Sequence, residues 1–190
     1  AAVGGPGLPP PKDSLMQKAS GHILSSFMVG GLSRRYKTKD SFYSDDIHSC
    51  NFIAWKSALD ETSGWNEKYW PGEDTLMCLT LKKAGKTMIE APDVIVYHHR
   101  RPLFKEHLRQ ILRFGLHRGF FTKELENSFK ISYFMPSLLV LLLIVGSLAS
   151  IFSSLATLLF FIFLTGYILT SLVAAIIEAR DVKLIPLVLA

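Results

Sequence analysis

The chain has two cysteines in 190 residues, Cys50 and Cys78, and no Cys-x-x-Cys pair. That excludes a disulfide-stapled scaffold and a zinc-finger site, and it fits reduced thiols in a cytoplasmic compartment. Charge is missing from two long stretches. No Asp, Glu, Lys or Arg falls between Tyr133 and Ile151 or between Leu155 and Ile177, and both runs are rich in Leu, Ile and Phe. Of the 21 Lys and Arg only Arg180 and Lys183 lie beyond residue 130, and of the 16 Asp and Glu only Glu178 and Asp181 do, so the net charge of +5 belongs to the first 130 residues. A small soluble core does not bury some sixty such residues, whereas a helix of about 20 apolar residues crosses the hydrocarbon core of a bilayer. There is no internal repeat and no initiator Met. The opening AAVGGPGLPP has no secretory-signal pattern either, being uncharged and rich in proline. The chain reads as a piece that opens inside one domain and closes inside a membrane region.

These contrasts divide the chain into a polar part over 1–101, a basic amphipathic segment with its linker over 102–130, and a membrane region over 131–190. Spans are expected at about 133–151 and 155–177, with the start of a third at Leu184. Ser153 and Ser154 leave room only for a tight turn, which predicts an antiparallel transmembrane hairpin. His117, Arg118, Lys123 and Lys130 precede the first span, and Arg180 and Lys183 follow the second. Basic flanks stay on the cytoplasmic side, so the polar part is expected in the cytoplasm and the Ser-Ser turn outside. The expected location is a plasma or inner cell membrane, multi-pass.

Within the polar part, Val3 to Gly5 predicts a strand end, and Asp13 or Ser14 caps a helix towards Met28 whose face carries Leu15, Ala19, Ile23 and Phe27. Residues 32–46, with Arg34, Arg35, Lys37 and Lys39, read as irregular and exposed. The acidic pair Asp45-Asp46 has either a metal-binding or a merely solvated reading. A short helix is expected over Ala54–Glu61 and another over Thr75–Ala84, stopped by Gly85. Strands are expected over Lys86–Ala91 and Val94–Tyr97. Strands alternating with helices indicate an α/β layer architecture. From Pro102 to about Phe121, Lys105, Arg109 and Arg113 recur every fourth residue beside a stripe of Phe104, Leu108, Ile111 and Leu112. Such a helix suits the headgroup level of a bilayer, with its cations near anionic lipid. A surface helix of the polar domain is the alternative, and nucleic acid is not expected as a partner.

The stretch WPGEDTLMCLTLKKAG, Trp70 to Gly85, sets Glu73 and Asp74 between a Pro-Gly turn and a helix. Carboxylates there serve as helix caps, since they accept backbone N–H groups and suit the positive end of the helix dipole. The order Gly-Gly-Pro, SCNFIAWKSAL, GW, GEDTLMCLTLKKAGK, VIVYHHR resembles the acceptor half of a family 2 glycosyltransferase of the GT-A fold. The likeness covers roughly residues 1–120. Gln110-Ile-Leu-Arg113-Phe114 is similar to the QxxRW signature of membrane-embedded polysaccharide synthases, with Phe114 where Trp is usual. That departure leaves open relatives that make exopolysaccharides or glycolipids, in which another aromatic fills the place.

The resemblance implies a nucleotide-diphospho-sugar donor, a glycan or lipid-linked acceptor, and an inverting mechanism with Asp74 as the base. Glu73 would orient the acceptor or Asp74, or be solvated. Trp70 would stack on a sugar ring or pack as a structural Trp. Cys50 and Asn51 match the Cys-Gly acceptor segment with Asn in place of Gly. Gln110 and Arg113 would lie beside the diphosphate and acceptor, with Phe114 against the acceptor. His98 would ligate a metal or contact phosphate, or be an ordinary surface residue, and His99, Arg100 and Arg101 would meet lipid headgroups. The family's donor half carries an Asp-x-Asp motif that holds Mg²⁺ or Mn²⁺, and no Asp-x-Asp occurs in this sequence. The expected fold is therefore the acceptor half of a GT-A domain followed by the helical hairpin, inactive by itself. Two alternatives stand beside it: a non-catalytic partner-binding or transporter subunit, and a processive polysaccharide synthase with more spans around a polymer channel.

Overall fold

A computed structural model describes residues 1–29, 36, 39–62, 64–66, 72–124, 128–129, 131–179 and 181–189. Strands β1 (Ala2–Gly4), β2 (Gly7–Leu8), β3 (Phe42–Tyr43), β4 (Ile53–Ala54), β5 (Met88–Glu90) and β6 (Val96–Tyr97) are short, two or three residues each. Four of them make one mixed sheet in the order β3-β5-β1-β4. The central pair β1 and β5 is parallel, with Val3 opposite Ile89, and the two outer strands run antiparallel to it. β2 and β6 extend the same two chain segments as a separate parallel pair. A parallel pair needs a crossover connection, and here it carries helices α1 (Leu15–Ser25), α2 (Lys56–Asp60) and α3 (Glu73–Lys83).

The Gly4-Gly5 pair explains why β1 and β5 run so close to their neighbours. A Cβ at Gly4 would overlap Ile47 and the Asn51 carbonyl, and one at Gly5 would overlap the carbonyls of Ala91 and Val94. The buried Asn51 amide then stitches the two segments, donating to Gly5 O at 3.0 Å and Val94 O at 2.8 Å. One sheet face packs against α2 and α3: Ala2 and Met88 meet Ala58, Met77, Cys78 and Leu81, with Ile47 between them. The cross-strand row on the opposite face carries exposed Tyr43, Ile89 and Ile53.

Ser14 caps α1 with a full capping box, exchanging hydrogen bonds with Gln17. The helix stops at Ser25, so Phe27 falls outside it, and its buried face is Ala19, Ser20, Gly21 and Leu24. Helix α4 (Lys105–Glu124) starts after Phe104, whose φ of 68° cannot continue a right-handed helix. Ser20 on α1 and His107 on α4 are joined at 2.8 Å in a buried bond.

Two long helices follow, α5 (Met135–Ser150), entered through a 3-10 turn at Ile131–Phe134, and α6 (Ser154–Ala179). Both are long and apolar enough to cross a membrane, and their side chains are overwhelmingly outward-facing. They pack on each other: a Cβ at Gly146 would overlap the Phe160 ring, and Thr157 Oγ1 donates to Ser150 O at 2.9 Å. Beyond α6, Val182–Leu184 forms a 3-10 turn, and helix α7 (Ile185–Leu189) folds back against α1 and α6. There Ala19, Leu103, Ala179 and Leu184 make a second core, and Ser25 donates to the buried Glu178 at 3.1 Å.

The expectation of an irregular, exposed segment over 32–46 changes in part. Arg34, Arg35 and Lys37 lie outside the described residues, but Tyr36 is buried and Phe42–Tyr43 pairs with β5. Two residues are too few to show the alternation by which a strand is recognised, so only the tertiary partner reveals it.

Candidate active site

The first turn of α3 is held from three directions. Gly72, the residue before it, sits at φ 147°, which a side chain would resist. From there Glu73 Oε2 accepts the Gly72 N–H at 2.9 Å, and Asp74 Oδ1 accepts the Thr75 N–H at 2.8 Å. Both carboxylates therefore take orphan donors of the helix start, and the dipole favours their charge. One turn further on, Met77, Cys78 and Leu81 are buried against the sheet and fix the helix axis. Cys78 Sγ also accepts the Ile47 N–H at 3.2 Å, which pins the 45–47 segment beside the same turn. Asp74 itself is half-buried, so its carboxylate is both restrained and reachable.

The acidic pair Asp45-Asp46 splits. Asp45 makes an exposed ion pair with Lys82 at 2.8 Å. Asp46 turns inward, where Oδ1 accepts from Thr75 Oγ1 at 3.0 Å and Oδ2 pairs with Arg118 at 2.8 Å. Through this pair α4 reaches the start of α3.

On α4, successive residues turn by about 100°. Gln110, Phe114 and Arg118 consequently share an arc with the buried His107 and Phe121, and Arg113 is displaced from it by one helical position. Gln110, Arg113 and Phe114 are all half-buried. Arg113 precedes Arg118 by roughly 8 Å along the helix axis. The fold thus puts the Gln110–Phe114 signature on the helix that braces the Asp74 turn.

Trp70 lies outside the described residues. Cys50 is exposed on a 3-10 turn, Ser49–Asn51, whereas the Asn51 amide is given over to the Gly5 and Val94 carbonyls. His98 is exposed at the end of β6, with Nδ1 2.9 Å from the His99 carbonyl. Partial desolvation, then the nearby Arg100 charge, hold its pKa below the usual histidine value. Among the described residues no three His, Cys, Asp or Glu side chains converge as a metal site. The donor set of a divalent cation is therefore not met by these residues, and no step below runs through one.

The expectation that Arg100 faces lipid headgroups is overturned. Arg100 is buried, donates to the Gly7 carbonyl, and lies 4.5 Å over the Tyr36 ring. Burial lowers its pKa from the usual arginine value, while Tyr36, Cys50 and Asp13 oppose the shift. The reason is its partners: a planar guanidinium suits a carbonyl and a ring face together. His99, next along, bonds Asp13 at 2.5 Å.

Sequence reasoning missed Thr75, read Asp46 only as metal-binding or solvated, and read Arg118 only as a basic flank. The signal for Arg118 was present, because Gln110, Phe114 and Arg118 recur at a spacing of four on one helix face.

No curated protein and no solved structure matches the chain. The sequence model described as Glycosyl transferase family group 2 matches residues 33–177, a range that takes in α3 with its acidic pair, α4, α5 and nearly all of α6. The match covers well over half of the sequence, so the chain belongs to glycosyl transferase family group 2, and its role is glycosyl transfer.

Proposed function

We propose that the chain is the acceptor-side part of a membrane-anchored, inverting glycosyltransferase in which Asp74 is the general base. The observation that carries the reading is the restrained, half-buried Asp74 carboxylate on the first turn of α3, within the segment that the family match covers. In the reaction the acceptor hydroxyl oxygen attacks the anomeric carbon of a nucleotide-diphospho-sugar. Its proton passes to Asp74 as the new C–O bond forms. The bond from the anomeric carbon to the diphosphate oxygen breaks, and the nucleoside diphosphate leaves with that electron pair. Arg113, with Gln110 beside it, is placed on α4 to offset charge on the leaving diphosphate. Glu73 orients the acceptor, Phe114 packs against it, and Cys50 lines its approach. A glycan or lipid-linked acceptor fits a site braced by the helix that precedes the apolar pair.

In this reading α5 and α6 anchor the domain in the cell membrane, and the basic flanks of the pair support a cytoplasmic face for it. The Asp-x-Asp motif and the Mg²⁺ or Mn²⁺ of the donor side belong to sequence other than these 190 residues, so transfer needs the full-length enzyme. The test is Asp74→Asn in that enzyme in native membranes. Sugar transfer is expected to fall by at least about three orders of magnitude, which is the upper range for loss of a positioned base, while donor binding survives. Transfer near the wild-type rate would refute the role.

A further inference from the structure

Arg118 does not behave as a loose basic flank of the first apolar helix. One guanidinium nitrogen donates to Asp46 Oδ2 at 2.8 Å and another to the Tyr133 hydroxyl at 2.9 Å. The guanidinium carbon also lies 5.0 Å from the Tyr133 ring centroid. Asp46 Oδ1 in turn accepts from the buried Thr75 hydroxyl, and the Thr75 N–H donates to Asp74. An unbroken chain of polar contacts therefore runs from Tyr133, in the turn that leads into α5, to the carboxylate of Asp74.

The Arg118 and Asp46 side chains are only 18% and 17% exposed. Shielding costs both charges hydration, so such a pair is a poor device for stability alone and a good one for geometry. Thr75 is the third residue of α3. Holding its hydroxyl from outside and its N–H from Asp74 sets the rotation of the first turn and the plane of the Asp74 carboxylate.

We propose that Arg118 and Asp46 are positioning residues for glycosyl transfer: they fix Asp74 at a set height and orientation relative to the membrane helices, where a membrane-tethered acceptor presents its hydroxyl. The inference rests on Asp74 being the base. Misplacing a reacting group by about 1 Å can cost on the order of 100-fold in rate, so the strut acts on turnover more than on binding.

The experiment uses the full-length enzyme in membranes, with Thr75→Val, Thr75→Ser, Arg118→Gln and Asp74→Asn. Thr75→Val removes only the hydroxyl and leaves the shape, so it decides the matter even if Arg118→Gln folds poorly. Thr75→Val and Arg118→Gln are expected to lower kcat by about 10- to 100-fold, the rate equivalent of one hydrogen bond to a charged group. KM for donor and acceptor stays near wild type in Thr75→Val, and Thr75→Ser restores kcat. The variant combining Thr75→Val with Arg118→Gln loses no more than the worse single one, because both cut the same chain. Wild-type kcat in Thr75→Val, or full additivity in the double variant, overturns the inference. If Asp74→Asn is inactive while the strut variants turn over normally, only the strut is wrong. If Asp74→Asn itself turns over, the base assignment falls and the strut with it.

Discussion

Helices α3 and α4 both carry apolar residues at helical spacing, and the fold uses them in opposite ways. On α3, Met77, Cys78 and Leu81 are buried beneath the sheet, and its charged start is turned to the candidate site. On α4 the most regular apolar stripe, Leu108, Leu112 and Leu116, stays 63–65% exposed, while the buried positions are His107 and Phe121. The comparison teaches that amphipathic spacing marks a boundary without saying which medium lies beyond it. For α3 that medium is the protein core. For α4 the stripe is exposed, and we propose a bilayer surface as its medium, with Lys105 and Arg109 alongside it.

The largest effect should come from exchanging like for like on the two helices. Leu81→Ala opens a cavity beneath the sheet and is expected to cost about 2–5 kcal/mol, enough to unfold a marginal domain. Leu112→Ala, an identical deletion from the exposed stripe, should leave the denaturation midpoint of the detergent-solubilised protein within about 0.5 kcal/mol of wild type. Equal losses at the two positions would mean that α4 is packed like α3 and that its stripe has a protein partner.

A smaller effect tests the inward side of α4. Burial lowers the pKa of His107, which bonds Ser20 on α1. The unfolded chain then binds a proton more readily than the folded one, so stability is full above the ordinary histidine value of about 6.5 and falls as pH drops below it. Thermal midpoints recorded from pH 7.5 down to 5 should decline for wild type and decline less steeply for His107→Gln. Equal declines in the two proteins would place the ring in water. The smallest effect belongs to the exposed end of α3: Lys82→Ala breaks the pair with Asp45 and should change stability by less than about 1 kcal/mol, less still in high salt.

Much of the frame was legible in the residues. The polar-to-apolar change near residue 130, the helix after Gly72, the two long apolar helices and the amphipathic α4 follow from runs of ten residues or more, where periodicity and composition accumulate. Expected and observed bounds differ there by a few residues, as for Thr75–Ala84 against Glu73–Lys83. The edge strand β3 and the burial of Arg100 were not legible, because each depends on one distant neighbour. Within the candidate site the acidic pair stood out by its turn and helix start. The link between Asp46 and Arg118 did not, since the two are 72 positions apart and no local pattern pairs them.

By itself the sequence determined which segments are apolar, that a helix follows Gly72, and that two carboxylates stand near its start, because these depend on local pattern and backbone chemistry. Tertiary structure alone decided that Asp46 turns inward while Asp45 stays in solvent, and that Arg118 spans Tyr133 and Asp46 instead of lying free. It also decided that Arg100 is buried under Tyr36. A charge buried against one specific partner needs two distant segments brought within about 3 Å, the range of a hydrogen bond, and no local rule supplies that distance.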